Sequence, residues 1–168
     1  QGDLPLQQAL GTRGIDGTTV GENLSRIGYA GPAPVGRNRV HAFVELHVEQ
    51  GPVLEHEDIA IGAVTGVQGI HWTEFTVEGT SNHAGTTPMR LRHDAGLVAA
   101  RVACFVRDLS RELSGAQLAT VGQVQYFPNL VNVIPNRAVF TVDLRNTDGA
   151  VLTDAVQRPL AYAQDVAE

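Results

Sequence analysis

Apolar and polar positions alternate with a period of two along three stretches in the second half of the chain. These stretches are residues 71–79 (HWTEFTVEG), 118–127 (LATVGQVQYF) and 137–145 (RAVFTVDLR). Such alternation predicts β-strands with one buried face. In the third strand we expect the core-facing positions to be the apolar ones: Ala138, Phe140, Val142 and Leu144.

Two helices are predicted between and after these strands. Apolar residues recur at helical spacing up to about Leu113, and His93 or Asp94 stands where an N-cap is expected. Asp148 precedes a second amphipathic stretch that continues to the end of the chain. Strand, helix, strand, strand, helix is an α+β, ferredoxin-like βαββα arrangement, and one further strand would complete the βαββαβ pattern. We therefore expect the last strand of the pattern to be missing.

The region around residue 45 predicts a strand with an unusual polar face. Residues 40–51 (VHAFVELHVEQG) alternate, so that Glu45, His47 and Glu49 share one side. Two carboxylates that flank a histidine repel each other in a buried sheet unless a cation or solvent is near. His47 alone is more typical of a packed or solvated residue than of a metal ligand, because zinc commonly takes three or more protein ligands.

The following residues predict a transition between domains. Pro52 suits the first turn of a short helix over residues 53–57. Residues 59–69 (IAIGAVTGVQG) predict a strand that glycines interrupt. We interpret this interrupted strand as the place where the chain passes from one domain to the next.

Composition and charge exclude several classes of protein. The net charge is −6, and all twelve basic residues are arginines scattered along the chain, which argues against a nucleic-acid surface. No apolar run approaches the roughly 20 residues of a membrane span, and no signal peptide is visible. We therefore expect a cytoplasmic protein without membrane contact. The single cysteine, Cys104, lies in an apolar pattern and is predicted to be buried.

The segment TSNHAGTTPMR, residues 80–90, predicts a loop with a candidate functional histidine. Its small and polar residues and its proline exclude a helix interior or a central strand. His83 has no apolar surroundings there, and the backbone N–H groups of Gly85 and Thr86 are suited to hold an anion. The alternative is a solvent-exposed loop residue without a function.

Two further polar residues are candidates for substrate binding. Asn132 lies between two valines in a proline-bracketed loop, where its amide either serves a ligand or ties the loop to the backbone. Arg145 ends a strand and is able to bind a carboxylate through two hydrogen bonds. The alternative for Arg145 is a salt bridge with Asp143 or Asp148.

Four motifs, taken together, resemble one enzyme family. They are ELHVEQGPVLE (45–55), SNHAGTTPM (81–89), FPNLVNVIPN (127–136) and FTVDLRNTD (140–148). Their order and spacing resemble those of the hydantoinase/carbamoylase amidases, a group of zinc-dependent amidohydrolases. The likeness runs from about Gly11 to Asp148, which is nearly the whole chain.

The resemblance implies a domain organisation. Residues 1–66 would be part of an α/β metallopeptidase-like catalytic domain, and residues 67–168 would be most of an inserted lid that also forms a homodimer. The active site of such enzymes holds two Zn²⁺ ions, with Mn²⁺, Co²⁺ or Ni²⁺ as the other candidate metals. The remaining metal ligands and the general base lie in the family outside the segment that this chain spans. This chain alone is therefore expected to be inactive.

The resemblance also assigns roles to individual residues. His47 would ligate one metal ion, and His83 would reach into the active site of the other subunit to bind substrate and stabilise the oxyanion. Asn132 and Arg145 would hold the substrate's carboxylate. Gln68 lies near a hinge glutamine that contacts substrate in the family, although its register differs by about two residues.

The implied reaction is hydrolysis of the carbamoyl or ureido C–N bond of an N-carbamoyl amino acid or a related ureido acid. Alternatives within the same fold are an allantoate amidohydrolase and a peptidase of the same superfamily. A non-catalytic dimerisation or ligand-binding module is an alternative of another class.

Overall fold

The chain folds into two compact units, residues 1–60 and 61–168. The computed structural model describes residues 4–36, 39–113 and 115–167. In its described residues the first unit has three short helices with no buried residue: α1 (Leu6–Gly11), α2 (Val20–Arg26) and α3 (Val53–His56). Thr19 and Glu22 form a reciprocal capping box at the start of α2, which satisfies its free N–H groups.

The second unit is an α+β domain with the βαββα order that the hydrophobic pattern predicts. Its elements are β1 (Gly69–Glu78), α4 (Ala95–Leu113), β2 (Leu118–Phe127), β3 (Arg137–Asn146) and α5 (Gly149–Ala167). The three strands are antiparallel in the order β1-β3-β2, so that β3 pairs with both of the others. Both helices pack on one face of this sheet, α4 over β2 and β3, and α5 over β3 and β1.

The core lies between the two helices and the inner face of the sheet. All four predicted inward-facing residues of β3 are buried: Ala138, Phe140, Val142 and Leu144. The Phe140 ring stacks on Phe75 of β1, with the centroids 5.1 Å apart. The residues between them along β3 face the opposite, open side of the sheet, and Arg145 is one of these.

Aspartates begin both long helices, as the sequence predicts. The Asp94 carboxylate accepts hydrogen bonds from the N–H groups of Gly96 at 2.9 Å and Leu97 at 3.1 Å, so Asp94 and not His93 is the cap of α4. Asp148 accepts in the same way from Ala150 and Val151 at the start of α5. Each cap pairs N–H groups that the first helical turn leaves without a partner.

The predicted strand over residues 40–51 is wrong. The structure has no strand in the described residues 39–50, and Val44, Leu46 and Val48 are all exposed. A strand needs a neighbour to pair its backbone groups, and the described part of the first unit contains no strand to provide one. The helix after Pro52 is present as α3.

Two further expectations need correction. Residues 61–68 form no strand, because β1 begins only at Gly69 and has its first partner, Asn146, at that position. Cys104 is exposed and not buried. The buried stripe of α4 runs through Val98, Val102 and Val106, and Cys104 lies off that stripe, two positions from Val102 and Val106.

No helix in the described ranges is long and apolar enough to cross a membrane.

Candidate functional site

The loop that carries His83 is joined to the loop that carries Asn132 by backbone hydrogen bonds. The Ala84 N–H donates to the Asn132 carbonyl at 2.9 Å, and the Ile134 N–H donates to the Asn82 carbonyl at 2.9 Å. His83 and Val133 form an isolated antiparallel bridge between them. Two of the residues singled out from the sequence therefore lie next to each other, although 49 positions separate them along the chain.

The backbone determines which nitrogen of His83 carries the hydrogen. The Gly85 N–H donates to His83 Nδ1 at 3.0 Å, so Nδ1 acts as the acceptor and has no hydrogen of its own. In a neutral imidazole the hydrogen is then on Nε2. His83 is exposed, so its ring presents an N–H donor to solvent. A donor of this kind, fixed in place, suits a negatively charged oxygen that develops during a reaction.

Arg92 stabilises the same loop by hydrogen bonds to its backbone, a contact that the sequence did not predict. Its guanidinium donates to the Ala84 carbonyl at 2.6 Å and to the Thr87 carbonyl at 3.0 Å. The Thr87 hydroxyl and N–H in turn donate to the His83 carbonyl. Because the partners of Arg92 are backbone carbonyls, which every residue supplies, no residue pattern indicates this contact.

Asn132 is exposed, and its side chain makes no hydrogen bond to any other residue that the structure describes. The alternative in which its amide ties the loop to the backbone is therefore not observed here. The carbonyl of Asn132, and not its side chain, joins the two loops. Its amide group is exposed and available to a ligand.

Arg145 forms the salt bridge with Asp143 that was one of its two interpretations. Nε lies 3.0 Å from Oδ1, and Nη2 lies 2.7 Å from Oδ2, so the contact has two parallel hydrogen bonds. This guanidinium holds the pKa of the Asp143 carboxyl below its ordinary value, and the indole of Trp72 across the strand pair lowers the same pKa further. The carboxylate correspondingly raises the pKa of Arg145.

A buried amide pair fixes the end of the sheet at which Arg145 lies. Asn146 Nδ2 donates to Gln117 Oε1 at 2.9 Å, and the Asn146 Oδ1 accepts from the Asp148 N–H at 2.8 Å. Both amide residues are buried. Gln68, which is half-buried, lies at this same end because it directly precedes Gly69, the partner of Asn146.

The candidate residues of the second unit thus form two groups at opposite ends of the sheet. His83 and Asn132 belong to loops beside the start of β3, whereas Arg145 and Gln68 lie near its end. Arg145 is eight residues from Arg137, which at the rise of a strand is roughly 26 Å. The structure therefore brings His83 and Asn132 together and keeps Arg145 apart from them.

His47, in the first unit, has the opposite tautomer from His83. Its Nδ1 lies 2.7 Å from the Val48 carbonyl. A carbonyl only accepts, so Nδ1 carries the hydrogen and Nε2 has a free electron pair, which is the form that binds a metal ion. Glu49 instead accepts from the Val53 and Leu54 N–H groups at the start of α3. Among the described residues no group of three or more potential metal ligands is present.

Comparison with known proteins assigns this fold. A family profile described as "Peptidase dimerisation domain" matches residues 65–168, which includes the whole βαββα domain. An amidase of the hydantoinase/carbamoylase family from Burkholderia multivorans has a similar structure, with a TM-score of 0.83 and 46% identity over 99% of this chain and 39% of that protein. One from Burkholderia ambifaria superposes with a TM-score of 0.86 at 37% identity, over 99% of this chain and 41% of that protein.

Sequence relatives point to the same group. An N-carbamoyl-L-amino-acid amidohydrolase from Rhizobium meliloti is 41% identical over 163 residues, which is 97% of this chain and 39% of the relative. An allantoate amidohydrolase from Escherichia coli K12 is 42% identical over 122 residues, 73% of this chain and 30% of the relative. The chain belongs to the hydantoinase/carbamoylase family of amidases and contains its dimerisation domain. It spans about two fifths of the length of the relatives that it matches most extensively.

Replacing Gly85 by alanine is expected to disturb the His83 ring. A Cβ at this position would lie 3.2 Å from Cε1 and 3.5 Å from Nδ1 of His83, so the ring must shift and its hydrogen bond to the Gly85 N–H must weaken. The ¹⁵N chemical shifts of His83 then move from those of a single tautomer towards a mixture. Gly122→Ala is the control, because a Cβ there meets no atom within 4 Å. Unchanged shifts in Gly85→Ala would contradict the tautomer assignment.

The Asp143–Arg145 pair is expected to stabilise the domain only above the acidic range. The pKa of Asp143 is lower in the folded state than its ordinary value of 3.8, so folding is favoured where the carboxylate is charged. This contribution is complete above pH 3.8 and is lost as the pH falls through the folded pKa. Urea unfolding should therefore show a gap between wild type and Asp143→Asn at pH 7 that narrows below pH 3.8. A gap that is independent of pH would exclude this linkage.

Proposed function

We propose that this chain is part of a metal-dependent amidase that hydrolyses the carbamoyl or ureido C–N bond of an N-carbamoyl amino acid or a related ureido acid. The observation that carries the proposal is the His83 loop. It holds an exposed Nε2–H donor by backbone contacts and is joined by main-chain hydrogen bonds to the loop that carries Asn132. The relatives named as N-carbamoyl-L-amino-acid and allantoate amidohydrolases support the choice of substrate class.

The proposed chemistry assigns His83 to the scissile carbonyl. When a carbamoyl carbon becomes tetrahedral, negative charge develops on its oxygen, and a donor fixed beforehand stabilises that charge by a few kcal/mol. The neutral Nε2–H of His83 provides such a donor without first having to reorganise. The Asn132 amide, which has both donors and an acceptor, binds a polar group of the same substrate.

Arg145 is proposed to bind the carboxylate of the substrate. A planar guanidinium recognises a carboxylate through two parallel hydrogen bonds. The substrate, however, is much shorter than the roughly 26 Å of strand that separates the two ends of the sheet. His83 and Asn132 therefore act on the substrate in the partner's active site, and Arg145 acts in the active site of its own chain. Gln68 belongs with Arg145 in this assignment.

His47 is proposed as a metal ligand through Nε2, with Zn²⁺ as the metal and Mn²⁺, Co²⁺ or Ni²⁺ as the other candidates. A metal pair held there would polarise the carbonyl and lower the pKa of bound water. The other ligands are expected in parts of a longer polypeptide that this chain does not include. We further propose that residues 61–168 join two copies of the protein, which the description of the matched family as a dimerisation domain supports.

Two alternatives have support from particular observations. The Escherichia coli relative favours an allantoate amidohydrolase, and turnover of allantoate in preference to N-carbamoyl amino acids would decide for it. The dimerisation domain by itself favours a non-catalytic module. A reading frame that ends with this chain would decide for the module, and one that continues into further metal ligands would decide for the amidase.

The chain on its own is expected to show no amidase activity. A hydrolytic zinc site commonly has three protein ligands, and His47 offers one of them. Metal analysis of the purified 168-residue chain should find less than one tightly bound zinc ion, and N-carbamoyl-β-alanine should not be turned over. Stoichiometric zinc together with turnover would show that the chain is sufficient.

The division of the site between two subunits is tested by mixing variants of the complete enzyme. His83→Ala and Arg145→Ala protomers are each expected to be inactive alone. In a mixed dimer, one site combines the intact Arg145 of one chain with the intact His83 of the other. Random mixing should therefore restore about a quarter of the wild-type activity, since half of the dimers are mixed and each has one intact site.

A matched control separates this outcome from general stabilisation by mixing. His83→Ala mixed with Asn132→Ala should restore nothing, because both residues are proposed to serve the same site from the same chain. Restoration in this control, or its absence with the first pair, would overturn the assignment to two subunits.

A further inference from the structure

Among the residues that the structure describes, the Arg145 guanidinium donates only to Asp143, which leaves its second edge free. Asp143 occupies the side edge, through Nε at 3.0 Å and Nη2 at 2.7 Å. A guanidinium has five N–H groups in a fixed plane, so both hydrogens of Nη1 and one of Nη2 remain. One hydrogen of Nη1 and one of Nη2 lie along the end edge, which also matches the two oxygens of a carboxylate. The contact with Asp143 therefore does not exclude a second carboxylate.

We propose that Asp143 is a positioning residue, which fixes the plane of the Arg145 guanidinium so that its end edge receives the carboxylate of the substrate. This inference rests on the proposed function, in which Arg145 binds that carboxylate. It adds that Asp143 makes the site selective for a planar carboxylate over its neutral analogues.

The position of Asp143 in the sheet suits this role. Asp143 and Arg145 are two residues apart on β3, so both side chains lie on the open face. Asp143 is flanked across the sheet by Trp72 of β1 and Thr120 of β2. β3 pairs with a strand on each side at this point, so the backbone that carries Asp143 is rigid. A long arginine side chain that would otherwise sample many rotamers is thereby held in one.

The charges of the pair also bear on selectivity. Asp143 is ionised because its neighbours lower its pKa, so the pair has no net charge. A neutral pair attracts anions in general less strongly than a free guanidinium does. Its binding energy depends on the geometry of two parallel hydrogen bonds, which a carboxylate forms and a carboxamide does not. The orientation of the Arg145 guanidinium, more than its electrostatic attraction for anions, then selects the ligand.

The test compares Asp143→Asn with Glu74→Gln in the complete enzyme. Glu74 is exposed on the neighbouring strand β1 and faces Thr141, so the control removes a carboxylate from the same open face without touching Arg145. The substrates are an N-carbamoyl amino acid and the same compound with a carboxamide in place of its carboxylate. For Asp143→Asn we expect KM for the carboxylate to rise about tenfold, the scale of one lost hydrogen bond to a charged group. KM for the carboxamide should not change.

Glu74→Gln should alter neither KM. Asp143→Glu provides a second variant that keeps the charge but displaces the guanidinium by one methylene, and its KM for the carboxylate should also rise. Equal losses on both substrates, or an unchanged KM for the carboxylate in both Asp143 variants, would overturn the inference.

Calorimetric binding of the two compounds keeps this test independent of turnover. Loss of the preference for the carboxylate in Asp143→Asn supports the positioning role, and a retained preference contradicts it. Absence of turnover in the wild-type enzyme, in contrast, contradicts the proposed function alone.

Discussion

The register in which β3 pairs with both neighbouring strands is the constraint on which the second unit depends. With this register, Ala138, Phe140, Val142 and Leu144 fill the core, and the alternate residues face the open side. A slip by one residue would turn Arg145 towards the helices and expose the apolar set. The buried amides of Gln117 and Asn146 fix the same register from the end of the strand, since neither side chain would find its partner after a slip.

The two candidate histidines, His83 and His47, show how the backbone selects the tautomer of a side chain. An N–H group faces Nδ1 of His83, and a carbonyl faces Nδ1 of His47. The first leaves a hydrogen on Nε2, and the second leaves an electron pair there. The same residue type therefore presents a hydrogen-bond donor in one loop and an electron pair in another, and main-chain groups alone make the difference.

Much of the second unit follows from its sequence, because its strands and helices pair and pack within the described chain. The alternation in β3 and the caps Asp94 and Asp148 are local sequence patterns, and the folded structure shows the elements that they predict. The strand predicted around His47 is absent because a pairing partner is not a local property. The sequence motifs identified His83 and Asn132, but their contact and the support from Arg92 arise through main-chain atoms, which residue identities do not encode.

Main-chain hydrogen bonds hold the His83 loop, so the loop tolerates substitution at several of its positions. Ala84 and Thr86 contribute no side-chain hydrogen bond to this loop among the described residues, so exchange of either for another residue that keeps the backbone conformation leaves the donor in place. The position of the His83 ring depends instead on Gly85, which has no side chain, and on Arg92, which bonds to the backbone of the loop. Substitutions at Ala84 or Thr86 can therefore accumulate while the position of the His83 ring is kept.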